Sequence, residues 1–165
     1  MDSITRAVTK HKEIFYDFLT QFAHLDTRVG YCIASHFEKD ISKKIEITDL
    51  LVQEFNSQKQ FDVFLKILRL KNISETEVGA LSNLYVGVKK MRNFLAHSYL
   101  VQKNNVSYNG KCIKLTYLTN SKGKGYTHNL DINDYTIKRE NLRKLLGKMV
   151  QICNSHFNNI TTESK

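Results

Sequence analysis

Apolar residues recur at steps of three and four along most of this 165-residue chain, and no proline interrupts them. A proline in a helix interior removes a hydrogen bond and clashes with the preceding turn. A proline-free chain with such stripes therefore suits a mainly helical fold. The longest stripe predicts a helix over about Thr5 to Glu38, built on Ile14, Phe15, Phe18, Leu19, Phe22, Leu25, Val29, Cys32, Ile33 and Phe37. Gly30 falls inside it, at a cost of about 1 kcal/mol relative to alanine, so a bend or a close neighbour is expected there.

The segment EKDISKK reads as a charged connection. Thr48 is placed to cap a short helix over DLLVQEF, with Asp49 in its first turn. A further helix opens at Ser57 or Gln58 and runs to Leu70. Ser74 and Glu77 stand at capping-box spacing ahead of a helix from about Glu75 to Ala96. Val78, Leu81, Leu84, Tyr85, Val88, Met91 and Leu95 mark its core face. Beyond it the period changes to two. Asn109-Gly110 predicts a two-residue hairpin turn, with Cys112, Lys114, Thr116 and Leu118 on one face and Ile113, Leu115 and Tyr117 on the other. YTHNLDI supplies a third short strand. The last helix is expected from about Asp134 to Asn158, with Ile137, Leu142, Leu145, Leu146, Met149, Val150, Cys153 and Phe157 inward. The expectation is one domain over residues 1–165: a helical bundle with a small antiparallel β insertion, about residues 103–132, before the last helix.

Charge is concentrated. Residues 1–102 carry 14 Lys and Arg against 12 Asp and Glu, whereas residues 103–148 carry ten against three. Such a local positive field favours a polyanionic partner. Tyr108, Tyr117 and Tyr126 interleave with Lys111, Lys114, Lys122 and Lys124; the tyrosines read first as part of an ordinary hairpin with one buried and one wet face, and the mixture also suits stacking on single-stranded RNA. Cys32, Cys112 and Cys153 are far apart, without metal-ligand spacing, and read as free thiols of a reducing cytosol. No apolar run has the length of a membrane span, and the N-terminus lacks a signal-peptide core. The expected setting is cytoplasmic, with no membrane partner. His11, His128 and His156 read as surface residues; His24 and His36 lie near the first stripe and read as interfacial or partly buried.

The end of the fourth predicted helix holds the densest chemistry, in MRNFLAHSY from Met91 to Tyr99. Asn93 and His97 are one turn apart on nearly the same face. Arg92 is offset from His97 by about 140° along an ideal helix, within reach of a long side chain. An imidazole can take the proton from a ribose 2′-hydroxyl or protonate the leaving oxygen. A guanidinium can hold the phosphate and the added charge of the transition state, and Asn93 can orient the imidazole or donate to a phosphate oxygen. This scheme needs no metal or other cofactor, and the chain lacks a convincing carboxylate cluster to hold a metal ion. One histidine cannot readily act on both sides of a phosphorus atom, so a homodimer bringing two copies of Arg92 and His97 to one cleft is expected. The competing reading is structural: His97 caps the negative end of the helix and Arg92 is solvated.

At Arg92-Asn-Phe-Leu-Ala-His97 the chain resembles the HEPN superfamily, whose members share R-x(4–6)-H near the end of a long helix. The continuation to Tyr99 matches R-x4-H-x-Y, the form found in toxins paired with minimal nucleotidyltransferase antitoxins. The resemblance implies a four- or five-helix up-and-down bundle, usually dimeric, with the motif at the dimer cleft. It implies a metal-independent endoribonuclease of a toxin–antitoxin or antiphage defence system, leaving 2′,3′-cyclic phosphate ends. Arg92, Asn93 and His97 would be catalytic, Tyr99 a support or the acceptor of silencing adenylate groups, and RNA the substrate. The β insertion departs from the simplest bundle. The alternative is a non-catalytic HEPN-type module that binds RNA or a protein.

Overall fold

The computed structural model describes residues 3–52, 54–97, 107–118 and 125–157, with some side chains at their edges left out. The chain is mainly helical, with a small three-stranded antiparallel sheet ahead of its last helix. Helix α1 spans Ser3–Phe37, α2 Ile41–Ile47, α3 Ser57–Leu70, α4 Glu75–His97 and α5 Ile132–His156. Strands β1 (Ser107–Tyr108), β2 (Cys112–Leu118) and β3 (Gly125–Asp131) lie in the order β1-β2-β3. Two compact units emerge: residues 1–22 with 86–142, and residues 23–85 with 143–165.

In the first unit, α1 buries Ala7, Ile14, Phe18 and Phe22, α4 buries Val88, Met91 and Leu95, and the sheet contributes Ile113 and Leu130. Each large apolar side chain so buried stabilises by about 1.5–3 kcal/mol. β2 pairs with β3 from Cys112↔Asp131 to Leu118↔Gly125. The expected alternation holds where side chains are described: Ile113 is fully buried while Lys114 is exposed. The hairpin turn lies one residue later than expected. Tyr108 pairs with Ile113, and Gly110 alone in that turn takes positive φ, at 85°. Asn109 Oδ1 accepts from the backbone N–H groups of Lys111 and Cys112, at 3.0 and 2.8 Å. The asparagine serves the turn through its side chain, and glycine supplies the left-handed conformation.

In the second unit, Phe61 of α3 stacks on Tyr85 of α4 with ring centroids 3.8 Å apart. Phe64, Leu68, Val78, Leu81, Leu145 and Met149 complete a buried apolar core. Asn56 caps α3, its side chain accepting from Lys59 N–H at 3.0 Å. Asn72, at φ 61°, ends the same helix: its N–H donates to Arg69 O and that of Ile73 to Leu68 O, a Schellman closure. Ser74 accepts from Glu77 N–H at 3.3 Å, one half of the expected capping box.

Several expectations are corrected. EKDISKK is no mere connection: Asp40 caps α2, accepting from the N–H groups of Ser42 and Lys43. Its apolar Ile41 and Ile45 are exposed, so periodicity gave no signal. Thr48 does not cap a helix over DLLVQEF. It opens a π-helical turn, Thr48–Val52, that continues α2, and its hydroxyl donates back to Lys44 O at 2.8 Å. α5 begins at Ile132, ahead of Asp134, because Asp131 Oδ1 accepts from Asn133 and Asp134 N–H. Ile137 and Phe37 are exposed, outside the core faces assigned to them. His11 is buried, not a surface residue, and His24 is exposed. Cys32 and Cys153 are not free thiols but a disulfide, bridging 121 residues with Cα atoms 6.2 Å apart. Local spacing tests only short-range motifs, and this pair meets only when α1 and α5 pack. Cys112 remains free.

Candidate functional site

The site lies on the last turns of α4. Arg92 falls about 20° around the helix from Tyr85 and about 40° from Val88, both buried. It thus stands on the side that α4 turns inward. Its side chain is half-buried and its guanidinium lies 5.5 Å from the centroid of the Phe22 ring of α1. A flat cation on an aromatic face is held by the ring quadrupole and by packing. The expected alternative of a solvated Arg92 therefore does not describe this side chain.

Arg92 also donates from Nη1 to Asn93 Oδ1 at 3.0 Å. Asn93 is half-buried and lies about 40° around the helix from His97 and about 100° from Arg92. Its carbonyl oxygen holds the guanidinium by one contact, while the Phe22 ring supplies another contact of the same group. Asn93 thereby orients the arginine, a role the sequence reading did not assign. Its amide NH₂ is a donor suited to a phosphate oxygen. His97 is the last residue of α4.

Five residues before Phe22, Asp17 ties α1 to α5. Asp17 accepts from Tyr135 Oη at 2.7 Å, from Gln21 Nε2 at 2.9 Å and from Arg139 Nη2 at 3.1 Å. Arg139 Nε lies 2.7 Å from the second carboxylate oxygen as an ion pair, although its N–H is not aimed at that oxygen. Burial pushes the Asp17 carboxyl up, but the hydrogen bonds and the charge of Arg139 outweigh it and hold the group below its ordinary value. The same partner raises Arg139. Asp17, Gln21, Tyr135 and Arg139 escaped the sequence reading because their link joins residues 118 and 122 positions apart. A readable signal existed in part, since Asp17 and Gln21 stand one helical turn apart.

Of the lysines expected to meet RNA, Lys111 and Lys114 are exposed, on the β1–β2 turn and on β2. Tyr108 is half-buried and donates to Gly110 O at 3.2 Å, so it serves the turn. Tyr117 and Tyr126 are direct register partners. Tyr99, Lys122 and Lys124 lie outside the described residues, as do the side chains of His97 and His128. Among the described residues no group of three or more His, Cys, Asp or Glu side chains is arranged to hold a metal ion. Among them, too, no helix is long and apolar enough to cross a membrane. Comparison with family models, with curated proteins and with solved structures finds no match to this chain.

Proposed function

We infer that the chain is an endoribonuclease of the HEPN toxin type, cutting RNA without a metal ion. His97 takes the 2′-hydroxyl proton or protonates the departing 5′-oxygen. The freed 2′-oxygen attacks the adjacent phosphorus, giving a 2′,3′-cyclic phosphate and a 5′-hydroxyl. Arg92 holds the phosphate and neutralises the charge that builds on its oxygens. Asn93 sets the guanidinium. Two copies meeting across a two-fold axis would supply the base and the acid on opposite sides of the phosphorus. The exposed Lys111 and Lys114, with Lys122 and Lys124, would raise the local concentration of RNA. The proposed setting is toxin–antitoxin or antiphage defence, with a nucleotidyltransferase-type antitoxin acting on Tyr99.

The observation that carries this reading is the 3.0 Å bond from Arg92 to Asn93 on the final turns of a helix that ends at His97. The test is incubation of purified protein with RNA in excess chelator. Wild type should cut and leave cyclic phosphate ends, while Arg92→Ala and His97→Ala should each lose at least a hundredfold in rate. Equal cutting by His97→Ala would refute the assignment.

A second reading, a non-catalytic RNA- or protein-binding module, draws on the packing of Arg92 against Phe22, which suits a structural arginine. It expects RNA binding that falls when Lys111 and Lys114 are neutralised and that ignores His97→Ala.

A further inference from the structure

α4 keeps a glycine in its interior beside a cleft. Gly87, Lys90, Met91 and Phe94 recur at helical steps and form one wall of a cavity of about 360 Å³ in the first unit. Gly79 and Gly147, also within helices, have nothing within 4 Å of where a Cβ would stand. At Gly87 a Cβ would stand 3.7 Å from Lys138 Nζ, across the cleft. An interior helix glycine costs about 1 kcal/mol; here its lack of a side chain keeps a groove open.

The lining is chemically divided. Met91 and Leu130 are buried and make an apolar floor, with Phe94 half-buried beside them. Two ammonium groups and two carboxylates border it, those of Lys90, Lys138, Asp131 and Asp134; Asp131 Oδ1 is taken up by the first N–H groups of α5. Lys138 lies 3.8 Å from Asp134, while Lys90 is exposed and has no ion pair or hydrogen bond among the described residues. Asn129, also exposed, brings an amide that can both donate and accept. A plain anion site needs no apolar floor, and an apolar ligand needs no cations. A nucleotide uses all three: its base lies on the floor, its base edge meets the amide, and its phosphate meets Lys90, the ammonium group with no carboxylate partner among the described residues. Lys90, Phe94 and His97 follow at i, i+4 and i+7 on one face of α4, so the groove runs along the helix towards the position of His97.

We propose that this groove binds one nucleotide of single-stranded RNA next to the scissile phosphate and so sets cut-site preference. The assignment to a cut site rests on the ribonuclease reading above; the nucleotide site itself does not.

Binding of adenosine 5′-monophosphate, uridine 5′-monophosphate and inorganic phosphate to the wild-type protein, read by calorimetry and by NMR shifts of Met91 and Leu130 methyl groups, tests it without any cleavage. At least one nucleotide should bind tenfold or more tighter than phosphate and shift both methyl groups. Gly87→Leu, which fills the groove, and the exposed Lys90→Ala should each weaken that binding at least fivefold. Gly87→Ala should leave it within twofold, since the added carbon makes only ordinary contacts. Phosphate binding as tightly as both nucleotides, nucleotide binding unchanged in Lys90→Ala, or an acidic peptide occupying the groove where nucleotides do not, would overturn the proposal. A wild type that binds nucleotide in the groove yet cuts no RNA would leave the site standing and remove the ribonuclease. RNA cutting whose position ignores Lys90→Ala, with no nucleotide in the groove, would do the reverse.

Discussion

Replacing Asp17 by alanine removes the acceptor that ties α1 to α5. Tyr135 Oη, Gln21 Nε2 and the Arg139 guanidinium all converge on its carboxylate. A protected hydrogen bond to a charged acceptor contributes about 1.5–3 kcal/mol. The ion pair here is partly wet, with the Arg139 and Asp17 side chains 35% and 32% exposed, so solvent screening brings that arm nearer to about 1 kcal/mol or less. The Tyr135 arm is better protected because that residue is buried. The expected loss is about 2–3 kcal/mol for Asp17→Ala and about 1–2 kcal/mol for Tyr135→Phe. Urea unfolding followed by circular dichroism at pH 7 measures both, and the double variant should reveal a coupling of about 1 kcal/mol. The pH dependence follows from the depressed carboxyl. In acid the unfolded chain takes up the proton before the folded one. The contribution is therefore complete above the unfolded value of about 3.9 and is lost as pH falls below it. Asp17→Asn should flatten the stability profile below about pH 4 relative to wild type. A coupling under about 0.3 kcal/mol, with wild type and Asp17→Asn parallel in acid, would refute the clamp.

His11 is buried, its Nε2 has no hydrogen-bond partner among the described residues, and burial pushes its imidazole down. The unfolded chain thus protonates first as pH drops below about 6.5, so stability should fall from pH 6.5 to 5, and His11→Leu should abolish that fall in urea titrations. The Cys32–Cys153 disulfide bridges 121 residues, for which chain entropy gives up to about 5 kcal/mol. Reductant should therefore lower the urea midpoint of wild type and leave a Cys32→Ala/Cys153→Ala variant unmoved. Gly87→Ala should raise stability by up to about 1 kcal/mol, since its Cβ meets nothing closer than 3.7 Å; a lowered melting temperature would contradict the open space assigned to that position.

The local layout was legible because helices and strands are written in short-range patterns. The inward residues of α1 from Ile14 to Ile33, the interval from Ser57 to Leu70 and the alternation about Ile113 each needed only neighbours in sequence. Where local pattern and local structure parted, as at Asp40, Thr48 and Gly110, side-chain hydrogen bonds to nearby backbone decided the outcome over periodicity. The motif Arg92, Asn93 and His97 was equally readable, along with its offset around α4.

What that motif rests on was not. The Phe22 ring beneath Arg92, the Asp17–Tyr135–Arg139 link, the burial of His11 and the meeting of Cys32 with Cys153 join residues from about 70 to more than 120 positions apart. Each depends on how separate helices pack, which a pattern with a period of three or four residues cannot encode. The amino-acid sequence by itself determined which faces of each helix seek burial and where polar chemistry gathers. Only the tertiary structure decided which faces meet, because apolar burial is non-directional and the choice among partners is made by close packing and by paired polar groups in space.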